Sequence, residues 1–170
     1  MNIIYRISLA LLMLASTPLM AADSVRLSTA VSGVVKDVLV QIGQRVKKGD
    51  RLLTLDNTRY LASLAEADAA HARQKQESEE ADKDLKRTEE LYARGVGSTT
   101  ELDAAKLRQI RAASMAREAE ARRLIAQKNL DDTVLVAPFD GVVRAREAEP
   151  GMVVSTACNP PTLIVIGKLR

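Results

Sequence analysis

Aromatic side chains are nearly missing from this 170-residue chain, which has no tryptophan, one phenylalanine and three tyrosines. Proteins that bind nucleic acid gather basic residues on one face and stack bases on aromatics. The whole chain holds 25 bases and 22 acids at a net charge of +3, and the middle of the sequence intersperses the two signs, which reads as a solvated surface and speaks against a nucleic-acid partner. Cys158 is the only cysteine, so neither an internal disulfide nor a metal site built on cysteine pairs can form. It is expected to pack as a small buried hydrophobe. His71 is the only histidine and lies among Ala, Arg and Gln, as a surface or seam residue of a helix would. With one His and one Cys in separate parts of the chain, no Ser-His-Asp, Cys-His or paired-carboxylate constellation can be assembled, and the expectation is a chain without catalysis, cofactor or metal.

A long hydrophobic run is also missing. The apolar stretch Ile7 to Ala15 falls well short of the roughly 20 residues that span a bilayer. It follows the basic Arg6 and precedes a segment from Ser16 to Ala22 that supplies Pro18 and small residues, the layout of a cleavable export signal over residues 1–22. Cleavage after Ala21 or Ala22 is expected, with an uncleaved anchor as the alternative. Its removal takes away one base, Arg6, and leaves a net charge of +2.

Proline is absent from Thr58 to Leu130, and glycine occurs there only as Gly95 and Gly97. The flanks are different. Residues 23–57 and 131–170 are rich in Val, Leu and Ile punctuated by Gly and Pro, which predicts short strands and tight turns. The two flanks also resemble one another. Gly33-Val34-Val35 is followed ten residues after Gly33 by Gly43, then Val46 and the run Leu52 to Leu55. Gly141-Val142-Val143 is followed ten residues after Gly141 by Gly151, then Val153-Val154 and the run Leu163 to Ile166. Neither half can bury a core alone, so the two are predicted to close on each other as one sandwich.

Residues 58–130 are predicted to form a helical hairpin with its tip near 95–98. Gly95 can take the positive φ that ends a helix, and Ser98 with Glu101 three residues on forms a capping-box pattern. In the returning helix, Leu102, Ala105, Gln109, Ala112, Ala116, Ala119, Arg123, Ala126 and Leu130 keep the three-four spacing of a coiled-coil seam. The seam is rich in alanine, so it buries little apolar area per residue. The outgoing helix carries Leu61, Leu64, Leu85 and Leu91 around a more polar middle, consistent with an exposed rod. The fold class is therefore α+β, a β-sandwich split by a long antiparallel α-helical coiled-coil hairpin.

The stretch Ser32-Gly33-Val34-Val35, the turn Val46-Lys47-Lys48-Gly49-Asp50 with Leu52, and Ala137-Pro138-Phe139-Asp140-Gly141-Val142-Val143 resemble the split lipoyl domain of periplasmic adaptors, the hemolysin-D-like membrane fusion proteins. Arg87, Leu91 and Ser98, spaced by four and then seven, are similar to the pattern with which such adaptors meet the tip of a TolC-like outer-membrane channel. The resemblance implies a periplasmic homo-oligomer, peripheral to the inner membrane. Its implied partners are that channel and an inner-membrane transporter of RND or ABC type. The other reading of the three residues is a solvated Arg87, a Leu91 packed in the coil and a Ser98 that only caps. Full adaptors continue into a β-barrel and a membrane-proximal domain, for which no counterpart follows the second half here. A minimal adaptor, a component completed by another subunit and a truncated remnant all remain open. Two other classes compete: a biotin or lipoyl carrier, whose lysine would sit where the helical insertion stands, and a purely structural coiled-coil spacer.

Overall fold

The computed structural model describes residues 24–157 and 160–168. The expected export signal and Cys158 lie outside the described residues. Eight strands and two helices follow in the order β1 (Ser24–Leu27), β2 (Gly33–Val38), β3 (Arg45–Val46), β4 (Arg51–Leu55), α1 (Thr58–Ala93), α2 (Thr99–Asp131), β5 (Val134–Val136), β6 (Gly141–Arg146), β7 (Val153–Val154) and β8 (Ile164–Lys168).

The two sheets are ordered β1-β8-β6-β3 and β5-β4-β2-β7. Exchanging the first four strands for the last four converts one order into the other, so the internal repeat is a structural one. Each sheet takes its short edge strand from the opposite half: β3 pairs β6, with Val46 opposite Gly141, and β7 pairs β2, with Val153 opposite Val34. The turns repeat the exchange. Gly43 N–H donates to the Val143 carbonyl at 2.8 Å, and Gly151 N–H donates to the Val35 carbonyl at 2.8 Å. Asp140 of the second half accepts the Lys48 N–H of the first at 2.7 Å. Neither half can therefore complete its backbone hydrogen bonds without the other.

Strand alternation points one face of each sheet inward. Val35, Leu52, Leu53 and Leu55 of the first half meet Val143, Val154, Leu163, Ile164 and Ile166 of the second in one buried cluster. Gly141 opens β6 because no side chain fits there: a Cβ would lie 2.6 Å from the Gly167 carbonyl oxygen and against Ile166.

The helices leave from the end of β4 and return at the start of β5. At the other end of β4, the Gly49 N–H donates to the Ala137 carbonyl at 2.8 Å and the Asp50 carbonyl accepts the Ala137 N–H at 2.9 Å, which ties the turn after β3 to the turn after β5. At 1.5 Å per residue, the 36 residues of α1 carry the tip about 50 Å from the sheets.

The seam is the one the spacing predicts: Ala105, Ala112, Ala119 and Ala126 are buried, and the residues between them on the same stripe are half-buried. No residue of α1 is buried. Its facing stripe includes Leu64, His71, Gln74, Ser78 and Leu85, whereas Leu61 and Leu91 are 50% and 44% exposed and stand off the stripe. Polar ties compensate for the thin seam. His71 Nε2 lies 3.1 Å from Glu120 Oε2 across the hairpin, so the seam reading of His71 holds, with a carboxylate partner supplied by the other helix. Gln109 Nε2 donates to Asp82 Oδ1 at 2.8 Å. Hydrogen bonds from Arg123 are the first cause of a lowered Glu120 pKa, and the charge of His71 adds to the same direction.

Candidate docking site at the hairpin tip

Helix α1 is held on the sandwich at its first turn. Tyr60 Oη donates to the Ser32 carbonyl at 2.6 Å, and Arg59 reaches the same oxygen at 3.2 Å with its guanidinium 4.9 Å from the Tyr60 ring centre. Asn57, at the N-cap position, makes no side-chain cap. Asp56 does this work instead, accepting the Thr58 N–H at 2.9 Å and the Thr58 hydroxyl at 2.7 Å. Those two bonds, the backbone one first, hold its carboxyl below the usual range.

At the far end, α1 stops because Gly95 takes φ of 76°, a left-handed conformation that residues with a Cβ resist. The Leu91 carbonyl accepts N–H donors from Val96 at 3.1 Å and Gly97 at 3.2 Å, satisfying acceptors that the helix end would leave open. Helix α2 restarts at once. Ser98 Oγ accepts the Thr100 N–H at 3.1 Å while Glu101 Oε2 accepts the Ser98 N–H at 3.0 Å, the reciprocal cap foreseen from the spacing.

Of the three residues singled out from the sequence, two are brought together. Arg87 and Leu91 lie one turn apart on α1 and line a groove of about 440 Å³ with Asp84, Thr88, Val96, Gly97, Glu101, Ala104 and Arg108. Ser98 sits at the start of α2, outside that lining, with its hydroxyl committed to the cap. Val96 is 77% exposed at the apex and was not among the candidates. Nor were Asp84 and Arg108, whose side chains pair across the two helices at 2.8 Å. Their 24-residue separation carries no local pattern, and only the register of the hairpin reveals them. Among the described residues Arg87 takes part in no ion pair, and no group of three or more metal-ligating side chains is found. No described helix is long and apolar enough to cross a membrane.

Lys47 and Lys48 are exposed in the turn between β3 and β4, before the first residue of β4, whereas a carrier hairpin would stand at the junction of β4 and β5. The helical insertion occupies that junction.

Residues 23–160 match the family model described as the CzcB-like barrel-sandwich hybrid domain. The chain belongs to this family. The resemblance to membrane fusion proteins drawn from sequence holds at the family level. Among curated relatives, the multidrug resistance protein MdtA of Klebsiella pneumoniae is 31% identical over 136 residues, 80% of this chain and 33% of that protein. The chain thus spans about a third of the length of the curated relatives it matches. A solved MacA–MexA chimera containing the Pseudomonas aeruginosa MexA α-hairpin domain superposes with a TM-score of 0.65 at 26% identity, covering 86% of this chain and 48% of that one. ZneB from Cupriavidus metallidurans shares the fold, with a TM-score of 0.63 at 22% identity over 88% of this chain and 62% of its own.

Proposed function

We propose that this chain is a periplasmic adaptor, exported by the segment 1–22, that links an inner-membrane transporter to a TolC-like outer-membrane channel. Its work is mechanical. Copies pack side by side, the sandwiches forming a ring and the hairpins a tube, while a separate transporter supplies the energy. The observation that carries the reading is the tip: an exposed Leu91 and an Arg87 without an ionic partner share one groove, about 50 Å from the sheets. A guanidinium offers five donors to backbone carbonyls of a partner, and a leucine beside it can fill a shallow depression. Ser98 enters chiefly by holding the apex in shape.

Side-by-side packing draws support from the outer surface. Leu107, Ile110, Leu124 and Ile125 of α2 are exposed, none of them on the alanine seam that faces α1. Helix α1 carries nine acids and six bases, and α2 five acids and seven bases, so facing helices of neighbouring copies would be of opposite net charge.

A photoreactive residue at Val96, expressed in the periplasm, tests the reading. Capture of an outer-membrane channel supports tip docking. Capture of the chain itself alone, or of nothing, supports the structural-spacer reading instead.

A further inference from the structure

Resting on the docking reading, we infer that Arg108 is a positioning residue for recognition at the tip: by holding Asp84 across the hairpin, it keeps the Arg87 guanidinium free for the channel. The tip groove contains two carboxylates, Asp84 and Glu101. Either would be a ready intramolecular partner for an arginine in the same groove, and Asp84 stands three residues before Arg87 on one helix, the spacing at which opposite charges pair. Both are occupied elsewhere. Arg108 Nη2 lies 2.8 Å from Asp84 Oδ2, and Glu101 Oε2 accepts the Ser98 N–H at 3.0 Å.

The arrangement matters because recognition by a free guanidinium competes with any pair that it makes within its own chain. A guanidinium already bridged to Asp84 must break that contact before it can donate to a partner. The neighbouring tie from Gln109 to Asp82, at 2.8 Å, holds the helices in register independently. Removing Arg108 therefore releases Asp84 without releasing the hairpin. The released carboxylate then stands three residues before Arg87 in the same groove, whose lining includes neither Glu89 nor Glu90.

The test is surface plasmon resonance of the full chain and its variants over a TolC-type outer-membrane channel purified in detergent, with helicity checked by circular dichroism. Arg108→Ala is expected to weaken binding about two- to fivefold, the range set by an exposed ion pair. Arg108→Lys, which retains a cation beside Asp84, is expected to bind like the parent. Adding Asp84→Asn to Arg108→Ala removes the competing carboxylate and is expected to restore most of the loss. An unchanged affinity for Arg108→Ala overturns the inference, as does a double variant no better than the single one, which would make Arg108 a direct contact or a purely structural residue. Arg87→Ala separates the two levels. If it leaves affinity unchanged, the docking reading itself fails, whereas a loss with Arg87→Ala and none with Arg108→Ala defeats only the role assigned to Arg108.

Discussion

The sandwich and the hairpin of this chain are stabilised in opposite ways. In the sandwich, Leu52, Leu53, Leu163, Ile164 and Ile166 are completely buried, and strands from both halves interlock. In the hairpin, the buried residues are four alanines of α2, and α1 has none, while Leu107, Ile110, Leu124 and Ile125 face outward. Stability is concentrated in the part that anchors, and reach in the part that projects. A rod that buries little against itself leaves its apolar and charged side chains for other molecules, as the proposed adaptor role requires.

This contrast can be broken most severely in the core. Leu53 lies on β4 between β2 and β5 with no exposed surface. Leu53→Ala is expected to cost about 2–5 kcal/mol, measured as a lower urea midpoint for the strand signal. A cost below about 0.5 kcal/mol, the scale of surface substitutions, would contradict the division of labour. The junction comes next. Tyr60→Phe removes the hydroxyl that donates to Ser32 and is expected to cost about 1 kcal/mol in the same experiment. It should also increase hydrogen exchange at the first turn of α1 more than in the mid-hairpin.

The smallest effect concerns acid. Glu120 and Asp56 both have folded pKa values below their ordinary ones, so the stability they contribute is present above the usual carboxylate range and is lost as pH falls through it toward the lowered values. Helical signal followed by circular dichroism should therefore decline first below about pH 4, where ordinary carboxyls protonate. Glu120→Gln should flatten that decline, because a neutral amide has no charge to lose. An acid profile identical to the parent's would show that the Arg123 and His71 contacts of Glu120 do not hold the hairpin.

Much of the architecture was legible because it is periodic. Gly33 and Gly141 announce the repeat with their ten-residue spacing, the seven-residue recurrence of Ala105, Ala112, Ala119 and Ala126 announces the seam, and Ser98 with Glu101 announces the cap. What local pattern could not show is which half supplies each edge strand, since β3 and β7 are two residues long and their partners are about a hundred residues away. The same holds for His71 with Glu120, Tyr60 with Ser32, and Arg108 with Asp84, pairs created only when distant segments meet. Leu61 and Leu91 fit the reading of α1 as an exposed rod: both stand off the stripe that faces α2.

The central claim, that Arg87 serves recognition and not folding, is tested most directly by Arg87→Asp. Its affinity for a TolC-type outer-membrane channel and its melting temperature should be measured side by side. The account predicts a loss of at least about tenfold in affinity, as expected when an exposed cation at the centre of a contact is reversed, with helicity and melting temperature unchanged. Unchanged affinity, or a loss of binding that merely follows a loss of helix, would contradict it.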